Sequence, residues 1–220
     1  MRLPSRALAV LAALLTATTL LAPSASAAPH GMPEPPPAEV VRAELAGLVT
    51  ADEHSMAGYD RGKFPHWARH GNNCDTRELV LARDGENVIQ DAACKAVSGT
   101  WTSLYDNTVL TGASQADIDH MVPLAAGWRS GAWAWDSAKR KAFANDLTNP
   151  QLIAVSAKSN RSKGDQTPAT WKPPAKDSWC VYSRAWTHIK SVYALTVTEP
   201  ERAALVEMLD TCTTPTTAQR

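Results

Sequence analysis

The chain has 220 residues, with 22 basic and 22 acidic side chains, 15 prolines, 11 glycines and four cysteines. This balance excludes a disordered polyelectrolyte, a collagen-like repeat and a miniature disulfide knot, and leaves one ordinary globular domain. Its charge carries no overall polycation signal, since removal of Arg2 and Arg6 with a leader leaves 20 basic groups against 22 acidic ones.

Arg2 and Arg6 precede an apolar stretch from Ala7 to Ala22, and Pro23, Ser24 and Ala25-Ser26-Ala27 follow as a small-residue cleavage site. Residues 1–28 therefore read as a secretion signal. Thr16, Thr18 and Thr19 interrupt the run, which at about 16 residues is short for a permanent span; an uncleaved anchor is the competing reading. Four cysteines in an exported chain read as two bridges, and no C-x-x-C pair marks structural zinc or thiol exchange. Of three possible connectivities, Cys74 with Cys94 and Cys180 with Cys212 is favoured, each closing a loop of roughly 20 to 35 residues.

Pro29 to Pro37 holds five prolines and one glycine and reads as an extended, solvated linker, so that the domain occupies residues 38–220. Val40, Val41, Glu44, Leu45, Leu48 and Val49 recur at spacings of three and four and predict a first amphipathic helix. Tyr59 to Asn73 mixes Gly, Pro, Asn and aromatics without a period, as in an ordered loop, and Thr76 to Ala82 fits a short helix. Lys95 to Trp101 and Thr108 to Thr111 read as a hairpin turned at Tyr105-Asp106-Asn107. Asp117 to Val122 forms a third strand that Pro123 stops, because proline cannot donate to a sheet ladder. Leu124 to Leu147 is helical in composition, Gln151 to Val155 is extended, and Ser156 caps a short polar segment. Val181, Ala185, Ile189 and Val192 mark a further helix. The last helix starts at Thr198-Glu199-Pro200-Glu201, where threonine and the glutamate three residues on satisfy each other's amides.

Among six histidines, His120 has the most informative surroundings. Asp117-Ile118-Asp119-His120-Met121-Val122-Pro123 sets a carboxylate beside an imidazole at a strand terminus, where an imidazole of ordinary pKa about 6.5 can accept a proton from water. The bland alternative is a turn in which the aspartate bonds local amides. Downstream, Asn149-Pro150-Gln151 leads into Ser156-Ala157-Lys158-Ser159-Asn160-Arg161-Ser162-Lys163-Gly164-Asp165, a strand followed by a helix without an apolar stripe. Asn160 and Lys163 lie three residues apart, on one side of that helix. From Arg129 to Lys163 seven basic residues face two acids, a local excess able to contact phosphates without reading sequence. The alternative for Lys139 to Lys141, and for Arg161 and Lys163, is a solvated helix side, and for Arg77 an ordinary salt bridge. Of the eight tryptophans, Trp133, Trp135, Trp179 and Trp186 sit in apolar helical contexts that favour packing, and no H-E-x-x-H, G-x-S-x-G or phosphate-loop pattern occurs.

Asp119-His120, then Asn149, then Asn160 with Arg161-Ser162-Lys163-Gly164-Asp165, resembles the HNH, or ββα-metal, endonuclease signature, nearest to secreted actinobacterial proteins whose core is similar to the C-terminal domain of GmrSD restriction enzymes. The core resemblance spans Asp117 to about Pro174, and Tyr59-Asp60-Arg61 through Cys74-Asp75-Thr76-Arg77 also looks like the secreted subgroup. The resemblance implies an α+β fold with a ββα-metal core within residues 95–175, surrounding helices and two disulfides. It implies His120 as general base, Asn149 as the residue that ties the two limbs together, and Asp119 and Asn160 as metal ligands. Oxygen donors favour Mg²⁺, with Mn²⁺ second. Arg161, Lys163 and Arg77 are the expected nucleic-acid contacts, with DNA preferred over RNA and bound through its backbone. Pro150, where the family more often has leucine, weakens the assignment of Asn149, and Asp117 sits on the same strand face as Asp119. The rival readings are a non-catalytic extracellular nucleic-acid or cell-wall binder on the same scaffold, and a toxin-like effector.

Overall fold

The computed structural model describes residues 31–212, so the expected leader lies outside the described residues. Chain order is α1 (Ala38–Gly47), α2 (Thr76–Asp84), β1 (Glu86–Gln90), β2 (Ala96–Thr102), β3 (Val109–Leu110), β4 (Ala116–His120), α3 (Leu124–Arg129), α4 (Ser137–Ala144), β5 (Leu152–Ser156), α5 (Ala157–Lys163), α6 (Trp179–Val192) and α7 (Glu199–Leu209), with single turns of 3₁₀ helix between some of them. The class is mixed α+β. Among the described residues no helix is long and apolar enough to cross a membrane.

The strands form two separate antiparallel sheets, β1-β2-β3 and β4-β5. The β2–β3 hairpin matches expectation, whereas β1 carries almost no buried side chain and so has no periodicity to betray it. The third predicted strand does not join that hairpin. It pairs with β5 in a register that sets Asp117 opposite Val155, Asp119 opposite Ile153 and His120 opposite Leu152. Alternation along these strands sends Ile118, Leu152 and Ala154 toward α2, and Ile153 and Val155 into the main core with α1, α6 and α7. β5 is therefore buried on both faces.

Helix ends follow the local chemistry. Asp75 caps α2 by accepting from the Glu78 amide, Ser156 caps α5 through the Ser159 amide, and Thr198 and Glu201 form the expected reciprocal box on α7. At the other end of α2, Gly85 meets the Trp101 indole so closely that a Cβ would fall 2.5 Å from Nε1, and that indole donates to the Leu81 carbonyl. The long helix expected over 124–147 is broken into α3, a 3₁₀ turn and α4. Gly131, at φ 138°, reverses the chain after Ser130, and Asp136 restarts it as the cap of α4.

Both favoured disulfides are present, Cys74–Cys94 and Cys180–Cys212, and no described cysteine is free. They fasten the loop before α2 to the β1–β2 turn, and α6 to the end of α7. The proline-rich segment is extended over 31–37 but packed rather than solvated: Pro35 is buried, and Arg184 donates to the carbonyls of Pro35 and Pro36. An arginine on α6 thus supplies the donors that an extended backbone leaves unmatched.

Candidate functional site

β4 and α5 are joined by two polar rungs. Asn160 Nδ2 donates to Asp117 Oδ2 at 3.0 Å, and Lys163 Nζ donates to Asp119 Oδ2 at 2.7 Å. Residues two apart on a strand and three apart on a helix each share a face, so one strand side meets one helix side in register. The rungs orient what they hold. A carboxylate only accepts, so Asn160 must present its amino group to Asp117, which leaves its amide oxygen free for another partner. Asp119 Oδ2 also accepts from the Tyr105 hydroxyl at 2.6 Å, so two donors converge on one oxygen of that carboxylate.

His120 sits at the end of the same strand, 4% exposed. Its Nε2 lies 3.0 Å from the Ala144 carbonyl at the end of α4. A carbonyl cannot donate, so Nε2 carries the proton and Nδ1 keeps its lone pair. Burial lowers the His120 pKa to about 3; the Ala144 contact opposes this, and the charges of Arg61, His66 and Lys163 reinforce it. The ring is neutral through the physiological range. Trp67, held at φ 57°, packs its indole 5.8 Å from the imidazole between ring centres.

Asp119, His120 and Asn160 line one cavity of about 260 Å³, which Tyr59, Arg61 and Asp165 also line. The imidazole, the carboxylate and the amide therefore border the same cavity. Among the described residues no group of three or more His, Cys, Asp or Glu clusters to hold a metal. The donor set is one carboxylate and one amide oxygen, which suits a hard divalent cation that keeps part of its water shell and shares it with a phosphate. It does not suit zinc, which favours nitrogen and sulfur ligands.

The remaining predicted residues fall elsewhere. Lys163 is not a surface contact for nucleic acid: its side chain is fully buried, and its ammonium is committed to Asp119 and the His120 carbonyl. Burial raises the Asp119 pKa and lowers that of Lys163, while their 2.7 Å contact opposes both shifts. Arg77 donates to the carbonyls of Ala113 and Ala116 and pairs with Glu78, so it braces the start of β4 rather than reaching the cavity. Arg161 is exposed on α5 and does not line the cavity. Asn149 touches neither His120 nor Asn160. Its amide N–H and side chain both bond Asp146, which also accepts from the Tyr193 hydroxyl, and this knot follows Ala144, whose carbonyl holds the imidazole.

Two of the seven basic residues counted over 129–163, Arg129 and Lys163, are ion-paired, and two more are held by uncharged partners. Arg129 pairs with Glu53 and Asp165, Arg140 donates to two carbonyls, and Lys139 covers the Trp135 ring. Three contributors had no assigned role in the sequence. Gln151, fully buried, pairs its side-chain amide with both backbone groups of Val122 and extends the β4–β5 ladder by one step. Tyr105 reads only as a turn residue, although its hydroxyl grips Asp119. Arg61 lines the cavity from a segment 59 residues upstream of His120, and its resemblance motif is the sole sequence signal for it.

Residues 76–208 match the family described as GmrSD restriction endonucleases, C-terminal domain. The chain is also 49% identical over 203 residues to an "Uncharacterized secreted protein" of Arthroderma benhamiae, covering 91% of this chain and 97% of that one. That relative is not actinobacterial, so the expected kinship with secreted actinobacterial proteins receives no support from it. No solved structure matches.

Proposed function

The chain belongs to the family of GmrSD restriction endonuclease C-terminal domains, and from that premise we propose that it is a secreted, divalent-cation-dependent endonuclease of HNH type that hydrolyses phosphodiester bonds, preferably in DNA. The observation that carries this reading is the tautomer of His120. With Nε2 held by the Ala144 carbonyl, the basic Nδ1 belongs to a ring that lines the cavity shared with Asp119 and Asn160. β4, β5 and α5 have the order of a ββα core, which supports the same assignment.

His120 Nδ1 takes a proton from a water whose oxygen attacks phosphorus in line, and the bond to the opposite ester oxygen breaks as the new one forms. By family resemblance that break leaves a 5′-phosphate and a 3′-hydroxyl. Ala144, set by the knot of Asn149 with Asp146, keeps the ring aimed. The low pKa of His120 belongs to the cavity without substrate; a phosphate's negative charge beside the ring favours imidazolium and raises its basicity when the reaction needs it. Asp119 and Asn160 would hold Mg²⁺, or Mn²⁺ in its place, and a cation bound there would supply positive charge for the phosphate oxygens and the departing alkoxide. Lys163 keeps Asp119 ionised and in place. Binding through the DNA backbone falls to exposed groups such as Arg161 and Lys158 at the rim of α5. The signal-like segment 1–28, the two disulfides and the secreted relative support an extracellular location.

The test is a plasmid nicking assay on the purified chain with Mg²⁺, with Mn²⁺ and with EDTA. Cleavage should require the cation, and His120→Ala should lose about 10²- to 10⁴-fold in rate while still binding DNA. Full activity of the folded His120→Ala protein rejects the assignment. DNA binding without cleavage by the parent chain under any of these cations also rejects it, in favour of a binder on a nuclease scaffold.

A further inference from the structure

Two residues that line the cavity, Tyr59 and Arg61, lie outside the segment that matches the family, and Arg61 carries an unpaired guanidinium. Arg61 begins the 3₁₀ turn Arg61–Lys63, which Asp60 caps by accepting from the Gly62 amide at 2.6 Å. Asp60, the nearest carboxylate in sequence, is thereby committed to the backbone. Lys63 is committed as well, donating to the Gly58 carbonyl at 2.6 Å and lying over the Trp128 ring. Phe64, completely buried, anchors the turn against the main core. The backbone beneath Arg61 is thus fixed from both sides. Among the described residues Arg61 itself makes no ion pair and no side-chain hydrogen bond.

The charges around the cavity then decide what Arg61 is for. Of the lining acids, Asp119 is matched by Lys163 and Asp165 by Arg129, at 2.7 Å each. Arg61 is the remaining charged lining residue, and among the described residues no carboxylate pairs with it. An anion with two acceptor oxygens in a plane suits a guanidinium fork best, and a phosphodiester presents such a pair in its non-bridging oxygens. We propose that Arg61 is a catalytic residue that grips the non-bridging oxygens of the scissile phosphate in the cavity it shares with His120, so that one phosphate is held by a cationic fork within reach of the general base. This rests on the nuclease reading above and adds to it the residue that positions the substrate. Charge accumulates on the same oxygens as the water attacks, so the grip tightens in the transition state and acts on kcat as well as KM.

The experiment compares wild type, Arg61→Ala and Arg61→Lys in cleavage of a short duplex oligonucleotide, and measures binding of that duplex by the same three chains in a His120→Ala background. Thermal melting confirms that each variant folds. Arg61→Ala should lose about 10²- to 10³-fold in kcat/KM, with the Mg²⁺ concentration for half-maximal rate unchanged. Arg61→Lys should recover part of the loss, because a point charge replaces the fork without its second hydrogen bond. A folded Arg61→Ala protein that cleaves within about threefold of wild type overturns the proposal while leaving the nuclease reading intact, provided that His120→Ala is inactive. If wild type does not cleave, the nuclease reading falls and the binding arm decides: a weaker complex on Arg61→Ala retains Arg61 as a phosphate contact, and equal binding removes it.

Discussion

Two lysine–carboxylate pairs are buried in this protein, one at the cavity and one in the helical scaffold. Lys190 on α6 contacts both oxygens of Glu201 on α7, and Glu201 also accepts from the Trp186 indole and the Thr198 amide, so both oxygens are in use. Lys163 reaches only Oδ2 of Asp119, and Tyr105 approaches the same oxygen. Burial lowers the pKa of both lysines, and in both a carboxylate at contact distance resists it. The two pairs share chemistry and burial and differ in closure: Glu201 is satisfied on both oxygens within the core, whereas Asp119 has its donors gathered on one oxygen and borders a cavity. Burial of an ion pair therefore does not by itself mark a functional site. What distinguishes one is a polar atom left over at a wall where a ligand fits.

Removal of either ammonium is the most severe way to challenge this contrast. Lys163→Met and Lys190→Met should each destabilise the fold by about 3–5 kcal/mol in urea unfolding, since each strands a carboxylate without its partner. They should part company in the cleavage assay run on the folded fraction at low temperature. Lys163→Met should raise the Mg²⁺ concentration needed for half-maximal rate, and Lys190→Met should leave it unchanged. Equal cation dependence in the two variants breaks the comparison.

Asp117 sharpens it at smaller cost to the fold. It is half-buried and turns the Asn160 amide so that oxygen, not nitrogen, is free. Asp117→Ala should weaken the cation dependence of cleavage by about 10- to 100-fold, the usual cost of losing a group that orients a ligand, with a much smaller change in unfolding midpoint. An Asp117→Ala protein with unaltered cation dependence removes Asn160 from the site.

The smallest expected effect is a pH dependence at the hinge between the two sheets. Asp106, in the β2–β3 turn, accepts from the Ser156 and Ser159 hydroxyls and so fastens that hairpin to the start of α5. Burial alone would raise its pKa, but the hydrogen bonds from Ser156, Ser159 and the Thr108 amide outweigh it and bring the value to about 2. The unfolded chain therefore takes up this proton at a higher pH than the folded one. The stabilisation is complete above an ordinary carboxyl pKa near 3.8 and is lost as pH falls through about 2. Thermal melting of Asp106→Asn should show a shallower decline across that window than wild type; parallel curves contradict the assignment.

Much of the site was legible because its residues lie in short runs with their own local logic. Asp119-His120 before Pro123 announced a strand end, and the spacing of Asn160 and Lys163 predicted their shared helix face. The error over Lys163 has a physical source: a lysine on a polar helix reads as solvated until a carboxylate from another element takes its charge inside. Arg77 failed in the same way, because the carbonyls of Ala113 and Ala116 that occupy it come from nearly forty residues downstream. In the fold, amphipathic and capped helices were readable, whereas β1, with exposed side chains, was recognisable only through its ladder with β2.

By itself, the sequence determined local matters: where helices begin, where prolines and glycines interrupt them, which cysteines stand at bridgeable separations, and which residue types are available for proton transfer and for holding a hard cation. Tertiary structure decided which of those groups are free. A hydrogen bond or ion pair made across the fold removes a donor, an acceptor or a charge from service, and those partners come from distant chain segments brought together by core packing. That is how Lys163 became an internal brace, how His120 acquired its tautomer, and how Arg61 became the unpaired charge in the same cavity.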